Sequence, residues 1–456
     1  MGILGIGNDP YYHLLVASDI VKKRKFPDRL EQFMGPSNET YPPFFHILLS
    51  LLIKRVSPSI LVKFFGPIMD CLNLIMFYLF IFGISSEKIA LFSCILYAFT
   101  PSLVENSVML IPRTVATFLF NICIYSLWNS FVNSSIVFFC FFLFSLSLIL
   151  VTHYSSTQAI LGVLIFLSFF YIGSSFPLYV MAATLLSVIL NLLLYRRKYI
   201  KAIKDHLNFF FNQPASSINF NRIGVNSPIL FALLFSMMVP LNIMLNFNLL
   251  KYKLVLPDLD PFTWFCMLQL IGTLFIYLVD VWGRTSNYFT FALAPSCILT
   301  AILINEWFNK LFGDLFFASI LLISLFLSLN AAKNARNAYL HITKPLLLLF
   351  EWISKQNNAR IICFPAEYCR PLAYYTGKKV LYASGWEGVV WSEKYLSPMY
   401  EEVERGNMAL LEKVIHSFAI THIFIDATKF HPGFLNKIPV KLLKKEKQYS
   451  LFSTAN

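Results

Sequence analysis

The composition of this 456-residue chain is that of a membrane protein and not of a soluble globular domain. Hydrophobic residues make up 57% of the chain, and charged residues make up only 13%, about half the share in soluble proteins. The 47 phenylalanines and a mean hydropathy of +0.63 indicate the same class. A single soluble core is therefore excluded, and we expect a polytopic helical membrane protein.

The net charge of +13 is concentrated in three short stretches, residues 22–25, 196–204 and 441–447. Basic clusters that flank apolar segments usually contact lipid phosphates. We therefore expect membrane lipid as a partner and no nucleic acid, which is the weaker interpretation of such clusters.

Two short apolar helices are predicted in the N-terminal region. Residues 11–26 have an apolar stripe that includes Leu14, Leu15 and Val21, which is typical of a helix lying in the membrane interface. Residues 43–53 are apolar but only about half as long as a bilayer requires. They predict a second, half-embedded helix that opens at a rigid pair of prolines.

Apolar segments then follow one another with short connections, and about ten of them approach the length of a membrane span. They are residues 59–83, 88–103, 113–131, 135–151, 156–172, 176–195, 228–246, 261–281, 287–305 and 313–330. An even number of spans places the N-terminal region, the predicted loop 196–227 and the C-terminal region on one side of the membrane. The basic residues of that loop favour the cytoplasmic side, whereas the resemblance described below favours the opposite side.

The composition changes near residue 345, where a small α/β domain is predicted. Strands are expected at residues 360–364, 380–382 and 421–426, and helices at residues 367–376 and 399–416. Six of the eight cysteines lie in apolar segments, whereas Cys363 and Cys369 lie in this domain. Two cysteines do not define a redox compartment, and the sequence leaves open whether they form a disulfide.

Two polar and aromatic motifs stand at the ends of the N-terminal region. Residues 7–13 read Gly-Asn-Asp-Pro-Tyr-Tyr-His, and residues 41–46 read Tyr-Pro-Pro-Phe-Phe-His. With the basic stretch between them, they resemble the first external loop of GT-C glycosyltransferases. That superfamily includes oligosaccharyltransferase catalytic subunits, protein O-mannosyltransferases and the lipid A aminoarabinose transferase. The first motif is most similar to archaeal oligosaccharyltransferases, and the second is more similar to the monosaccharide transferases.

The resemblance implies an architecture and a location. We expect an α-helical polytopic membrane protein of the GT-C type, with about ten spans and a small C-terminal α/β extracytoplasmic domain. Residues 1–57 would form the first external loop, residues 58–345 the transmembrane domain and residues 346–456 the soluble domain. The expected location is the plasma membrane, in which the protein would be a multi-pass integral protein.

The resemblance also implies a donor, a sugar linked to polyprenyl (dolichyl) phosphate, whose anomeric carbon is attacked by an acceptor hydroxyl or amide. A carboxylate at the membrane surface can serve as the general base or hold a divalent cation. Asp9 matches the first-loop acid of the superfamily and is our predicted catalytic residue, with Tyr11 and His13 as substrate-binding residues. The alternative for Asp9 is a helix N-cap before Pro10, and the two roles are compatible.

Further acids are candidates for the same cleft. Glu39 precedes the proline pair and is otherwise an ordinary loop acid, within a glycosylation sequon. Glu105 lies in the next loop on the predicted Asp9 side, where members similar to oligosaccharyltransferases carry a second acidic motif that binds metal. In this chain Arg113 follows Glu105 without a second acid. The metal site is therefore left open, with Mg²⁺ or Mn²⁺ as the candidate divalent cation.

Two basic residues are candidates for binding the donor. His153 is predicted where a span meets the Asp9 side, and it is otherwise an interfacial hydrogen-bonding residue. Arg284 lies between two predicted spans on that side, and a planar guanidinium suits a phosphodiester leaving group. It resembles an arginine in a late external loop of GT-C enzymes that is thought to bind the lipid phosphate. The alternative is a snorkelling arginine paired with Asp280.

The function these residues predict is transfer of one sugar from a polyprenyl-phosphate donor to a protein or glycan acceptor, with inversion at the anomeric carbon. One alternative is an oligosaccharyltransferase that transfers a whole glycan, although the tryptophan-rich acceptor motif and a second acidic motif of that class are lacking. Another is a flippase or transporter of lipid-linked sugars, which would keep ionisable groups near the bilayer midplane. The third alternative is a non-catalytic relic.

Overall fold

The structure is a computed structural model that describes residues 9–37, 41–100, 103–104, 107, 110–212, 261–279, 286–307, 310–338, 342–384 and 391–454. The chain forms two compact units. The first, which we call the sheet unit, comprises Met1–Tyr41, His46–Pro58 and Asn337–Asn456, and the second, the helical unit, comprises Pro42–Phe45 and Ser59–Arg336. The N-terminal and C-terminal regions thus share one unit, while the predicted boundaries after residues 57 and 345 stay predictions.

The two predicted N-terminal helices are present. Helix α1 spans Asp9–Lys23, with Pro10 in its first turn, where a missing backbone N–H costs nothing. It ends before Arg24, whose positive φ of 52° is incompatible with helix continuation. Helix α2 spans Phe44–Leu52, so it is as short as the sequence predicts.

The helical unit is built from long apolar helices close to the predicted segments. They are α3 (Pro58–Phe82), α4 (Glu87–Ala98), α5 (Pro112–Asn133), α6 (Ile136–Leu150), α7 (Tyr154–Phe170), α8 (Phe176–Asn212), α9 (Pro261–Val279), α10 (Ser286–Trp307) and α11 (Lys310–Ala338). Within the described residues, three stretches are long and apolar enough to cross a membrane, namely Pro58–Phe82, Pro112–Asn133 and Phe176–Arg196. They support an integral membrane protein, but the expected number of about ten spans is not confirmed. The predicted segment 228–246 lies outside the described residues.

Helix α5 lies inside the helical unit, and α3 and α8 lie at its periphery. In the apolar stretch of α5, 78% of the residues are buried, against 33% in α3 and 22% in α8. Buried amides support this arrangement, because Asn73 on α3 donates to the Tyr97 hydroxyl at 2.9 Å and Asn121 on α5 donates to the Asn73 oxygen at 3.0 Å. Exposed leucine, isoleucine and phenylalanine side chains on α3 and α8 suit contact with lipid.

The predicted loop 196–227 is wrong in its first half. The backbone breaks at Arg196 (φ 42°, ψ −122°) and then continues as helix to Asn212. Lys198 and Lys201 are therefore on a helix, and residues 213–227 lie outside the described residues.

The C-terminal region forms the predicted α/β domain. After α12 (Lys344–Ser354), its elements are β1 (Arg360–Phe364), α13 (Cys369–Thr376), β2 (Lys379–Val380), α14 (Ser397–Glu404), α15 (Ala409–Ser417), β3 (His422–Asp426), β4 (Val440–Glu446) and β5 (Tyr449–Thr454). The strand order is β2-β1-β3-β5-β4. Strand β1 is parallel to β2 and β3, whereas β5 is antiparallel to β3 and β4.

One prediction for this domain is wrong, one feature was not predicted and one question that the sequence left open is answered. The single helix predicted at 399–416 is two helices, because Gly406 takes a φ of +82° after α14. The β4–β5 hairpin was not predicted from the sequence. Cys363 and Cys369 are buried free thiols, so the disulfide that the sequence left open is not formed.

The N-terminal region completes one face of this domain. Leu15 and Val16 on α1 share a buried core with β1, α12 and α13. Residues 32–35 pair with the β2 edge, since Val380 N donates to Gln32 O at 2.8 Å and Met34 N donates to Val380 O at 3.0 Å. The apolar side of α1 is therefore covered by protein and not by lipid, which corrects the prediction of an interface helix.

We expect Phe33→Ala to destabilise the sheet unit by about 3–5 kcal/mol, because the change leaves a cavity in a packed core. Phe33 is 1% exposed and its ring lies 5.2 Å from that of Tyr382. Limited proteolysis of the purified full-length protein would measure the change. Leu442→Ala, at a 48% exposed position, is the control, and equal cleavage rates in the two variants would contradict this account of the core.

Candidate active site

The structure places the predicted site residues on three elements or outside its described part. Asp9 is the first residue of α1, and Tyr11 and His13 follow on the same helix. Arg113 and His153 lie in the helical unit. The three remaining candidates, Glu39, Glu105 and Arg284, lie outside the described residues.

Tyr11 is buried against the C-terminal part of the sheet unit. Its ring lies 5.7 Å from that of Tyr375 and 6.1 Å from that of Tyr374, both on α13. Aromatic pairs at such distances add stabilisation beyond the area they bury. The N-terminal turn of α1, which begins at Asp9, is thus anchored by an aromatic cluster.

His13 is paired with His46, which the sequence analysis did not single out. Nδ1 of His13 lies 2.9 Å from Nε2 of His46, and the two residues are 33 positions apart in the chain. Their side chains are 4% and 0% exposed. Burial, and then the neighbouring His13 imidazole, hold the pKa of His46 well below its ordinary value of 6.5. His46 is therefore neutral at pH 7.

Aromatic rings surround this histidine pair. The Tyr41 ring lies 5.5 Å from each imidazole, at close to right angles to both. The rings of Tyr12 and Phe26 lie 6.1 Å and 5.9 Å from His46. Such an apolar enclosure disfavours a charged imidazole, which accounts for the direction of the pKa change.

Arg370 connects α1 to α13 through aromatic rings. Its guanidinium carbon lies 5.7 Å from the centre of the Tyr12 ring and 5.1 Å from the centre of the Tyr382 ring. A guanidinium stacked on aromatic faces gives about 0.5–2 kcal/mol, depending on desolvation. The contact therefore helps to hold α1 on the sheet unit.

The C-terminal end of α1 is fixed by a buried carboxylate. Asp19 is 2% exposed, and it accepts hydrogen bonds from Lys23 Nζ at 3.2 Å and from Gln32 Nε2 at 3.4 Å. Lys23 also pairs with Glu31 at 2.8 Å, at the surface. Contacts at both ends of α1 thus join it to residues later in the chain.

The two described candidates of the helical unit stand at helix starts. Arg113 follows Pro112 in the first turn of α5 and is half-buried. His153 immediately precedes α7, and its Nδ1 lies 2.7 Å from the Ser155 hydroxyl. This hydrogen bond fixes the orientation of the ring and leaves Nε2 as its other polar atom.

A metal-binding cluster is not found in the described part of the chain, where no three His, Cys, Asp or Glu side chains lie together. The acids that the resemblance associates with a metal are Asp9 in the first loop and Glu105 in the next loop. Glu105 lies outside the described residues. We therefore derive no step that requires a metal ion.

The contact between Arg370 and the two tyrosine rings predicts that Arg370→Met weakens the docking of α1. Loss of about 1–2 kcal/mol would increase hydrogen exchange of the α1 amides about five- to thirty-fold. Mass-spectrometric hydrogen exchange of the full-length protein would measure this. Lys394→Met is the matched control, because Lys394 lies 5.3 Å over the ring of Tyr395, which is 46% exposed. Unchanged α1 exchange in Arg370→Met would contradict the prediction.

Comparison with known sequences gives no match, either to a protein-family model or to a curated protein.

Comparison with solved structures finds similar folds, among them those of an archaeal oligosaccharyltransferase and of ArnT. The Archaeoglobus fulgidus oligosaccharyltransferase with zinc and sulfate aligns with 14% identity and a TM-score of 0.62, over 99% of this chain and 69% of that chain. The same organism's AglB, with an inhibitory peptide and a dolichol-phosphate, aligns with 12% identity and a TM-score of 0.57, over 99% of this chain and 71% of AglB. ArnT from Cupriavidus metallidurans, bound to undecaprenyl phosphate, aligns with 9% identity and a TM-score of 0.63, over 99% of this chain and 95% of ArnT.

These likenesses concern the fold. This chain spans 66–71% of the length of the archaeal enzyme in the structures compared, and nearly the whole of ArnT. Both proteins are GT-C glycosyltransferases. The resemblance that the N-terminal motifs predict is therefore confirmed at the level of the fold.

Proposed function

We propose that this chain is an inverting glycosyltransferase that moves one sugar from a polyprenyl-phosphate donor to a protein or glycan acceptor. The match to ArnT is the observation that supports it most, because it extends over 99% of this chain and 95% of ArnT, and ArnT is bound to undecaprenyl phosphate in that structure. AglB in complex with a dolichol-phosphate supports the same class of donor. We further propose that the reaction takes place on the extracytoplasmic face of the plasma membrane.

The proposed reaction is a single displacement. The acceptor hydroxyl or amide nitrogen attacks the anomeric carbon while the bond from that carbon to the phosphate oxygen breaks. Asp9 accepts the proton that the acceptor loses, and the polyprenyl phosphate departs with the bonding electrons. Because attack and departure occur on opposite faces of the sugar, the configuration at the anomeric carbon inverts.

Cationic groups would stabilise the leaving phosphate. We assign this role to Arg284, whose guanidinium can donate two parallel hydrogen bonds to phosphate oxygens, with His153 and Arg113 as further donors. Glu39, Glu105 and Tyr11 would line the cleft and orient the sugar or the acceptor. If Mg²⁺ or Mn²⁺ binds, Asp9 and these acids would hold it, and the ion would neutralise phosphate charge.

A second candidate is transfer of a whole glycan to asparagine. The likeness of residues 7–13 to archaeal oligosaccharyltransferases, together with the fold match to the archaeal enzyme, favours it. The two candidates differ in the donor, which is a monosaccharide in one and an oligosaccharide in the other. Turnover of matched donors therefore distinguishes them.

We expect Asp9→Asn to reduce sugar transfer at least about 100-fold, because the amide cannot accept the proton. The assay is release of radiolabelled sugar from a panel of polyprenyl-phosphate monosaccharides and oligosaccharides, in membranes that contain equal amounts of each variant. Asp314→Asn is the control, since it neutralises a half-exposed carboxylate paired with Lys88 on the helical unit.

Turnover by the wild type and by Asp314→Asn, with none by Asp9→Asn, is the predicted result. Equal turnover in all three would show that Asp9 is only a helix cap. Turnover of the oligosaccharide alone would select the second candidate. If no donor turns over while labelled lipid crosses the membrane, the transporter alternative replaces both.

Arg284→Gln should raise the KM for the lipid donor about tenfold or more, because a charge-assisted hydrogen bond to phosphate contributes about 1.5–3 kcal/mol. The KM for the acceptor should stay unchanged. Initial rates at varied donor concentration measure this, with Arg55→Gln, at an exposed position of the sheet unit, as the control. An unchanged donor KM in Arg284→Gln would identify Arg284 as a snorkelling residue.

A further inference from the structure

We infer that a cavity in the C-terminal α/β domain binds a neutral sugar residue of a glycan. The cavity has a volume of about 310 Å³, which suits a small ligand, and it is lined by the end of α14 and by the segment between β3 and β4. None of its lining residues is among those that we propose for sugar transfer, so the site goes beyond the proposed function. Its consequence, that the acceptor is a glycan, rests on that function.

The cavity lies where the topology of the sheet favours a ligand. The connection from β1 to β2 contains α13, which packs on the sheet face that carries Cys363 and Phe424. The connection from β2 to β3 contains α14 and α15, which pack on the opposite face with Ile362 and Ile423. Strands β2 and β3 therefore lie on the two sides of β1, and the chain changes direction between β1 and β3. In α/β sheets, ligands bind outside the carboxyl ends of the strands at such a point.

Two aromatic contacts place the cavity at that end of the sheet. Phe364 is the last residue of β1, and its ring lies 4.9 Å from the ring of Phe430 and 4.9 Å from that of Phe434. Both of these phenylalanines line the cavity, and Phe430 follows the end of β3 by four residues. The cavity thus has an aromatic floor, on which the apolar C–H face of a sugar ring can pack.

A histidine presents a hydrogen-bond donor to the cavity. His431 caps the 3₁₀ turn Pro432–Lys437, where its Nδ1 accepts a hydrogen bond from Gly433 N at 3.0 Å. Because Nδ1 is the acceptor, the ring hydrogen is on Nε2. The side chain is exposed and lines the cavity, so this N–H can donate to a hydroxyl oxygen of a ligand.

Two lysines of the same cavity are already held in place. Lys437 Nζ donates to Gly406 O at 2.8 Å and thus joins the 3₁₀ turn to the residues after α14. Lys429 Nζ pairs with Glu367 and lies 5.6 Å from the centre of the Tyr368 ring. An ammonium group has three donors, so each lysine keeps N–H groups for a ligand. Side chains that are ordered before binding reduce the entropy cost of binding.

The charges at the cavity favour a neutral ligand over a phosphate. Glu367 offsets Lys429, and the Glu404 carboxylate lines the cavity together with Lys437. The described groups thus combine two ammonium groups with two carboxylates, whereas a phosphate is bound best by an excess of cationic donors. A sugar hydroxyl both donates and accepts, so such hydroxyls can donate to Glu404 and accept from Lys437 and His431.

The test measures sugar binding to the full-length protein in lipid nanodiscs, because detergents with sugar headgroups would compete. The probes are the methyl glycosides of glucose, galactose, mannose and N-acetylglucosamine, with glucose 6-phosphate as the anionic comparison, and saturation-transfer NMR gives each Kd. We expect at least one neutral glycoside to bind with a Kd of about 1 mM, as for a ligand of about a dozen non-hydrogen atoms. Glucose 6-phosphate should bind no more tightly.

Two substitutions each remove one donor from the cavity. In His431→Asn the amide oxygen can replace Nδ1 as the acceptor for Gly433 N, but the shorter side chain does not reach the position of Nε2. Lys437→Met removes the ammonium group and keeps a long side chain. We expect Kd to rise about fivefold in His431→Asn and about tenfold or more in Lys437→Met. Lys413→Met, at an exposed position of α15, is the control and should keep the wild-type Kd.

The possible outcomes are distinct. Absence of binding by every neutral glycoside, an unchanged Kd in either cavity variant, or a tenfold preference for glucose 6-phosphate would each overturn the proposal. Because the measurement needs no turnover, the expected binding results without any sugar transfer would place the failure in the proposed function instead. With turnover, Lys437→Met should raise the KM for a glycan acceptor and leave the donor KM unchanged. An unchanged acceptor KM would show that the cavity does not select the acceptor.

Discussion

The packing of α1 against the C-terminal sheet is the interaction on which the rest of the sheet unit depends. Leu15 and Val16 are buried with residues of β1, α12 and α13, and burial of such side chains contributes about 1.5–3 kcal/mol each. The Arg370 stack and the Asp19 hydrogen bonds add directional contacts to this apolar one. A helix that would be marginal by itself at this length is thereby held in one place.

This constraint gives a physical reason for joining the two ends of the chain. A general base acts only if it is held within hydrogen-bonding distance of the group that it deprotonates. The proposed base opens α1, and the residues that hold α1 come from the last quarter of the chain, among them Arg370 and Tyr375. The C-terminal α/β domain therefore supports the N-terminal motif.

Much of the fold could be predicted from local signals, and the rest depends on tertiary contacts. The apolar run near residue 113 predicts α5, which begins at Pro112, and the strand predicted at residues 360–364 is β1. The apolar stripe of α1 shows that one side is buried, but the pattern is the same for lipid and for protein as the covering surface. Strand β4 was not predicted because it lies at the sheet edge, where exposed lysines replace the alternation of buried and exposed residues.

The candidate site depends even more than the fold on contacts between residues that are far apart in the sequence. The motif at residues 7–13 supplied Asp9, Tyr11 and His13, but the contact between His13 and His46 spans 33 positions and has no periodic signal. His46 ends the second motif, and nothing in the local sequence pattern places it against His13. Arg370 likewise follows a cysteine in a predicted helix, and only the folded arrangement brings it to the Tyr12 ring.

The proposed function requires that this chain bind a lipid through its phosphate and use that lipid as a leaving group. Native mass spectrometry of the purified protein, mixed with equal amounts of polyprenyl phosphate and the corresponding polyprenyl alcohol, tests this requirement. We expect the phosphate to stay bound and the alcohol to be lost, since the cationic groups act on the phosphate oxygens. Equal retention of both lipids, or of neither, would show that the protein does not recognise the phosphate.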